Sequence, residues 1–200
     1  MAITNGYATL AEVKAVLRIT DSTDDVLLEN EIESASRRVD GYCGRFFYQT
    51  SSTSVNIYPR DLFLVDFPAD LATSSVTIKI DATGGGTYTT TLTQGVDYIL
   101  QPTDAAIRSR PYRSARMVGG KTFPLFVSPS FPTVQVAAVW GWSAIPDDVR
   151  AATILLTIRQ FARLNAALGV VGFADMAVQV RAVDPDVRDL LSPYIDYGIA

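Results

Sequence analysis

The spacing of the apolar residues changes twice along this chain of 200 residues, and that change constrains the fold more than any other feature. In residues 24–43 the apolar positions are separated by four, three, four and three residues, at Leu28, Ile32, Ala35, Val39 and Tyr42. This spacing places them on one face of an α-helix. In residues 53–100 apolar and polar residues alternate, as in half-buried strands, and helical spacing returns after residue 145. The pattern predicts an α+β protein in which helical ends flank an antiparallel β module.

Local signals predict where the N-terminal helices begin and end. Thr9 and Glu12 have the spacing of a capping box, which predicts a short helix reaching about Arg18. A longer helix is predicted from about Asp24 to Cys43, with Gly41 and Gly44 ending it.

The C-terminal part of the chain is also expected to be mainly helical. Pro146, followed by two aspartates, predicts a helix start, because proline is tolerated in the first turn and acids stabilise a helix N-terminus. This helix is expected to reach about Ala167. A loop is predicted at residues 169–175, a strand or extended arm at 176–183, and a last short helix at 186–191.

The middle of the chain is predicted to be all β. The triplet Gly84-Gly85-Gly86 indicates a hairpin turn between strands at 77–81 and 87–93. The most apolar stretch, Val134 to Trp142, is predicted to lie centrally in the sheet. These boundaries divide the chain into an N-terminal helical part (1–50), an inserted β module (51–143) and C-terminal helices with an arm (144–200).

Composition makes most enzyme classes improbable. The chain contains no histidine and one cysteine, which removes the commonest general acid-base group, the commonest metal ligand and any intrachain disulfide. We therefore expect no catalytic site, no cofactor and no metal. The formal net charge is −4, with a net of +3 in residues 71–121 and −5 in residues 1–70. Such a polarity suits head-to-tail contacts between copies and is also common in isolated domains.

No membrane or export segment is expected. The N-terminus lacks the basic and apolar regions of a signal peptide. The charge-free stretch from Thr122 to Pro146 is long enough to span a bilayer, but it contains four prolines, which forbid an uninterrupted membrane helix. It is interpreted as a buried strand with a proline-rich lead-in.

Two carboxylate pairs and the lone cysteine are interpreted as structural. The pairs at residues 24–25 and 147–148 lie at predicted helix starts, and adjacent residues point in different directions on a helix. Cys43 follows an apolar helix face and has no histidine to activate it, so a buried thiol is expected. The glycine triplet lies between strands and has no lysine after it, which disfavours a phosphate loop.

A basic cluster and two tryptophans are the remaining candidates for interaction. The cluster comprises Arg108, Arg110, Tyr112, Arg113 and Arg116. It is interpreted either as a solvated edge strand or as a docking surface for an acidic partner or a DNA backbone. Trp140 and Trp142 are expected in the core, with an interface anchor as the alternative.

Three segments in this order resemble the head-to-tail connector (adaptor) proteins of tailed bacteriophages and related gene-transfer particles. They are the opening TLAEVKAVLRI at residues 9–19, the helix end VDGYCGR at 39–45, and WGW followed by IPDDVRAA at 140–152. In that family a similar opening, a Gly-Arg helix end and a Gly-aromatic entry into a proline-started helix recur.

The resemblance implies a structural, non-enzymatic virion protein, assembled in the host cytoplasm. It implies a dodecameric ring beneath the portal that extends the channel for double-stranded DNA and offers a platform to a stopper or tail-completion protein. The implied portal-contact candidates are Asp184, Pro185, Val187, Arg188, Leu190, Leu191, Tyr194, Ile195 and Tyr197. The acids proposed to face the lumen or a neighbouring subunit are Glu29, Glu31, Glu33 and Asp40.

Two other function classes remain open from the sequence alone. The β module would be a binding module for a carbohydrate or host-surface ligand if Tyr88, Tyr98 or Tyr112 were exposed on one sheet face. A histidine-independent nuclease would require carboxylates that converge on a metal, and the acids predicted here lie at separate helix starts.

Overall fold

The computed structural model describes residues 3–126, 131–165, 170–173, 176–179 and 185–196. The described residues fall into two compact units. Those of 1–48 and 144–200 form one, called the helical unit, and those of 49–143 form the other, called the β unit. The predicted mixture of helices with an antiparallel sheet is confirmed.

The helical unit begins with α1 (Leu10–Leu17) and α2 (Asp25–Cys43). The predicted capping box is present: the Thr9 hydroxyl accepts from the Glu12 amide at 3.2 Å, and the Glu12 carboxylate accepts from the Thr9 amide at 2.7 Å. The buried face of α2 ends at Cys43, whereas Tyr42 is 37% exposed. The prediction of Tyr42 on that face is wrong, because the fourth residue after Val39 lies on the buried side.

The β unit contains a six-stranded antiparallel sheet in the order β1-β6-β2-β5-β4, with β3 paired to β2. Its strands are β1 (Thr53–Ile57), β2 (Leu64–Ile80), β3 (Thr90–Leu92), β4 (Tyr98–Gln101), β5 (Tyr112–Met117) and β6 (Val134–Trp140). Strand β6 is interior, as predicted, but the long β2 occupies the centre. Strand β5 lies between β2 and β4, so the edge-strand interpretation of the basic cluster is wrong for the residues on that strand.

The glycine triplet forms the predicted turn between β2 and β3. The Asp81 carboxylate fills this turn and accepts from the amides of Thr83, Gly84, Gly86 and Thr87 at 2.6–3.1 Å. The Thr83 hydroxyl and these amides lower the pKa of the Asp81 carboxyl to about 2. Amides that a phosphate loop would present to a ligand are therefore satisfied by the protein itself.

The helical unit resumes with α3 (Asp147–Asn165), which contributes Val149, Ala152 and Phe161 to the buried side chains. Further along the chain, β7 (Val170–Phe173) pairs antiparallel with β8 (Met176–Gln179). The predicted loop at 169–175 is thus a strand over four of its residues. The chain then forms α4 (Pro185–Leu191) and one 3₁₀ turn at Ser192–Tyr194.

Candidate interaction surfaces

Tyr7 is the polar centre of the helical unit. Its side chain is 1% exposed, its hydroxyl donates to the Asp40 carboxylate, and the same oxygen accepts from the Phe47 amide at 2.8 Å. The guanidinium of Arg37 lies 5.5 Å from the Tyr7 ring centroid and 3.3 Å from the Asp40 carboxylate. Burial raises the pKa of Asp40, and burial with this bond raises that of Tyr7 above its ordinary range. The segment before α1 is therefore attached to the end of α2.

The C-terminal segment is attached to the same place. The Asp196 amide donates to the Cys43 carbonyl at 2.7 Å, and the Asp196 carboxylate lies 3.8 Å from the Arg45 guanidinium. The Tyr194 ring packs edge-on against Phe47, with centroids 5.9 Å apart. Residues 194–196 thus form part of the folded helical unit.

The structure separates the portal-contact candidates into three groups. Val187 and Leu191 are buried at 4% and 1% exposure, so they stabilise α4 on its own unit. Pro185 and Arg188 are exposed, and the half-buried candidates are Leu190, Tyr194 and Ile195. Asp184 and Tyr197 lie outside the described residues. A partner therefore has direct access to only part of the predicted set.

The four acids proposed for a lumen or subunit contact are all half-buried. Asp40 is engaged with Tyr7 and Arg37, as described above. The carboxylate of Glu33 accepts from the Asn5 amide at 3.4 Å. Glu29 and Glu31 also lie on α2. The acidic surface of α2 is therefore smaller than the four predicted residues imply, because Asp40 is bound within its own unit.

Cys43 is buried, as predicted, and burial raises the pKa of its thiol to about 11. At pH 8 we expect it to react with Ellman's reagent about 100-fold more slowly than an unperturbed thiol, because only the thiolate reacts. The rate in the native protein, compared with that in denaturant, measures this. A native rate equal to the denatured rate would contradict the buried position.

The basic cluster is divided between a loop and a strand of the β unit. Arg108 and Arg110 lie in the loop between β4 and β5, where Arg108 lies 2.5 Å from the Asp104 carboxylate. Arg113 and Arg116 lie on β5, and Arg113 approaches the buried Asp70 carboxylate at 3.6 Å. Within the described part of the chain, Arg110 and Arg116 form no ion pair. The cluster therefore offers two uncommitted guanidinium groups rather than four.

Both tryptophans are buried, as expected, at 4% and 6% exposure. The indole of Trp140 donates to the Thr53 carbonyl at 3.2 Å, and that of Trp142 donates to the Asp70 carboxylate at 2.8 Å. They stabilise the β unit and are unavailable as surface anchors.

An apolar groove of 420 Å³ was not predicted from the sequence. Its walls are formed by Arg60, Asp61, Leu62, Phe63, Leu64, Arg116 and Leu125. Leu62, Phe63 and Leu125 are 46–47% exposed. The available signal was the run of three apolar residues at 62–64, since an alternating strand buries only every second side chain.

The other chemistries considered from the sequence receive no support from the described residues. Among them, no three acidic, histidine or cysteine side chains come together as metal ligands, and no helix is long and apolar enough to cross a bilayer. Tyr98, one of three tyrosines proposed to bind a carbohydrate, is 1% exposed, and Tyr88 and Tyr112 are half-buried. An exposed aromatic face on the sheet is therefore not formed by these three residues.

Residues 7–84 match the model of a family described as phage gp6-like head-tail connector protein. This region contains two of the three segments on which the sequence resemblance rests. The predicted resemblance to head-tail connectors is confirmed. No curated protein sequence matches this chain.

Solved structures extend the similarity beyond residues 7–84. This chain is similar to a chain in the neck of an empty gene transfer agent particle computed with C6 symmetry, at 19% identity, TM-score 0.57, covering 100% of this chain and 95% of that one. A chain in the neck of the native gene transfer agent particle, computed with C12 symmetry, is 18% identical with a TM-score of 0.58. That match covers 100% of this chain and 94% of the other. A chain from the virion of the native gene transfer agent particle is 20% identical with a TM-score of 0.57. That match covers 100% of this chain and 95% of the other. At these identities the similarity establishes a shared fold.

Proposed function

We propose that this chain is a structural, non-enzymatic protein of a phage-like virion, located in the neck as a head-to-tail adaptor. The observation that carries the proposal is the match of all 200 residues to neck proteins of gene transfer agent particles, together with the connector family match at residues 7–84. In this proposal twelve copies form a ring beneath the portal. The ring extends the DNA channel and provides the platform for the stopper or tail.

The charge of the helical unit is compatible with a channel for DNA. Residues 1–48 and 144–200 carry 15 acidic and 10 basic residues, whereas residues 49–143 carry 6 and 7. A lumen lined by acidic groups does not hold phosphates, so double-stranded DNA passes without sequence-specific binding. Glu29, Glu31 and Glu33 remain the candidates for this lining or for a contact between subunits.

The portal contact is proposed to involve the exposed and half-buried side chains of α4, Leu190 among them, rather than the whole C-terminal segment. Deleting residues 184–200 would remove Val187 and Leu191 from the core, and it would break the Asp196–Cys43 hydrogen bond. Loss of portal binding by such a truncation would therefore report unfolding as readily as a lost contact. A surface substitution is the sharper test.

We expect the protein to co-elute with the portal protein of its own particle as a complex heavier than the portal by a ring of 21.7 kDa subunits. Leu190→Asp should weaken binding by at least about tenfold, because a carboxylate would be buried in an apolar contact. Leu155→Asp is the matched control, since Leu155 is a 37% exposed leucine on α3. Light scattering after gel filtration measures both.

Separate elution of the two unmodified proteins at high concentration would contradict the adaptor function. Equal binding by the two folded leucine variants would contradict only the placement of the contact on α4. Thermal unfolding of each variant establishes that it is folded before binding is compared.

A further inference from the structure

Asparagine is followed by glycine once in the chain, at Asn5-Gly6. The pair lies in residues 3–9 before α1, called the N-terminal segment. At such a pair the glycine nitrogen attacks the side-chain carbonyl carbon of asparagine readily, because glycine has no Cβ to obstruct the approach. The other asparagines, at positions 30, 56 and 165, precede glutamate, isoleucine and alanine. Asn5 is therefore the one asparagine with an unobstructed nitrogen after it.

Packing of the N-terminal segment on α2 requires a glycine at position 6. A Cβ built there would lie 2.3 Å from the Cγ2 methyl of Ile3 and 3.1 Å from the Cγ2 methyl of Ile32. Ile32 is fully buried, so its methyl does not move away without opening the core. The reactive pair is therefore a consequence of the fold.

The two groups that would react are not engaged elsewhere. Within the part of the chain that the structure describes, neither the Asn5 side-chain amide nor the Gly6 N–H forms a hydrogen bond. Both residues are half-buried rather than enclosed, so they remain in contact with water. Cyclisation between them does not require a hydrogen bond of the fold to break first.

Arg37 is positioned to make the Gly6 N–H more acidic. Its Nη2 donates to the Asn5 carbonyl oxygen at 2.8 Å. The guanidinium is fixed between two rings, 5.5 Å from the Tyr7 centroid and 4.9 Å from the Tyr48 centroid. When hydroxide removes the amide proton of Gly6, the negative charge is shared with the Asn5 carbonyl oxygen. A fixed cation beside this oxygen stabilises the charged form.

We propose that Asn5 deamidates spontaneously in the folded protein and that the product weakens the attachment of the N-terminal segment to α2. The Gly6 nitrogen bonds to Asn5 Cγ, the bond from Cγ to the side-chain nitrogen breaks, and that nitrogen leaves as ammonia with a proton from water. Water then opens the five-membered succinimide ring at either carbonyl, giving aspartate or an isoaspartyl link. The net reaction consumes water, releases ammonia and converts a neutral amide into a carboxylic acid that ionises at neutral pH.

The isoaspartyl product changes the path of the main chain. The chain then runs through Cβ and Cγ of residue 5 and is one carbon longer. The amide on one side of the insertion, that of Asn5, donates to the Glu33 carboxylate at 3.4 Å. The amide on the other side, that of Tyr7, donates to the Ser36 hydroxyl at 3.0 Å. The longer chain does not keep both contacts on α2 at these distances.

The new carboxylate also competes for Arg37. In the isoaspartyl form the former Asn5 carbonyl becomes a free carboxylate, which binds a guanidinium more strongly than a neutral oxygen does. In the unmodified protein Arg37 lies 3.3 Å from Asp40, the acceptor of the Tyr7 hydroxyl. Under the proposed function the protein is not replaced after assembly, so the product accumulates as a particle ages. The modification itself does not depend on that function.

Peptide mapping of the full-length protein tests the site. The folded protein and a synthetic peptide of residues 3–9 are incubated at pH 8, and liquid chromatography with mass spectrometry separates the asparagine, aspartate and isoaspartate forms. The folded protein should react within about tenfold of the rate of the peptide, because no local opening is needed. Asn5→Gln is the matched control and should react at least about tenfold more slowly, because its cyclisation forms a six-membered ring.

Thermal unfolding tests the consequence. Anion exchange separates the deamidated protein, which carries one more negative charge, and the peptide map gives its isoaspartate content. Its midpoint temperature should be lower than that of the unmodified protein by at least about 2–4 °C. Asn5→Asp should lower it by less, because aspartate adds the charge without lengthening the main chain.

A folded protein that reacts more than about tenfold slower than the peptide would overturn the site, as would equal rates for Asn5→Gln and the wild-type protein. A deamidated protein with an unchanged midpoint temperature would overturn the weakened attachment. None of these measurements involves the portal. Their failure leaves the adaptor function standing, and separate elution from the portal leaves the modification standing.

Discussion

Tyr7→Phe is expected to destabilise the helical unit by about 2–4 kcal/mol. The phenol oxygen donates to the Asp40 carboxylate and accepts from the Phe47 amide, and Tyr7 is 1% exposed. Phenylalanine keeps the ring but leaves a buried N–H and a half-buried carboxylate without this partner. Removing one partner of a buried polar contact costs the desolvation of the group left behind.

Tyr194→Phe is the matched control. The Tyr194 hydroxyl donates to the Asp148 carboxylate at 3.0 Å in an exposed position, where water replaces the lost bond. We expect a loss below about 1 kcal/mol. Urea unfolding followed by circular dichroism at 222 nm compares the two, because the described helices lie in the helical unit. Equal losses would contradict a buried role for the Tyr7 hydroxyl.

The effect of Tyr7→Phe should also depend on pH. Burial raises the pKa of Asp40, and the Tyr7 hydrogen bond opposes that rise. Without the bond the pKa of Asp40 in the folded state rises further. At pH values between the folded-state pKa of Asp40 in the wild-type protein and that in the variant, the folded variant therefore binds more protons than the folded wild-type protein. The free energy of unfolding lost through the substitution should therefore be larger at neutral pH than at pH 3, where Asp40 is protonated in both the wild-type protein and the variant.

The helices were predictable because their signals are local. The capping box of Thr9 and Glu12 and the spacing of Leu28, Ile32 and Val39 are properties of short sequence windows. The same local evidence does not say what covers an apolar stripe. The resemblance predicts Val187 and Leu191 as portal contacts, but the structure buries both side chains within their own unit.

The centre of the sheet was not predictable in the same way. Strand β2 is continuous over 17 residues, but the alternation of apolar and polar residues that would predict it is interrupted at Pro68. The pairing register also shifts between Asp66 and Leu71 and between Leu71 and Val76, which breaks the alternation of buried and exposed side chains. Its position depends on pairing with β5 and β6, which lie far along the chain.

The groove and the basic cluster show the same limit. The groove brings residues 60–64 together with Arg116 and Leu125, a juxtaposition created only by the pairing of β2 with β5. The arginines were recognised as a cluster from their spacing. Which of them are committed, such as Arg113 to Asp70, is decided by side chains more than forty positions away in the sequence.

Asp70→Ala is expected to destabilise the β unit by about 3 kcal/mol. The Asp70 carboxylate accepts from the Trp142 indole at 2.8 Å and lies 3.6 Å from the Arg113 guanidinium. Its side chain is only 4% exposed. Alanine would leave the buried indole N–H without this acceptor and would open a cavity beside the tryptophan.

Asp66→Ala makes the same change on the same strand at the surface. Asp66 lies 3.5 Å from Arg60, with both side chains more than 40% exposed, and such pairs contribute about 0–1 kcal/mol. Both tryptophans belong to the β unit, so their fluorescence during urea unfolding reports that unit directly. If the two variants unfold at the same urea concentration, Asp70 does not have the buried role described here. A loss specific to Asp70→Ala would show that a polar contact stabilises the middle of β2, which explains why a charged residue is buried in the sheet.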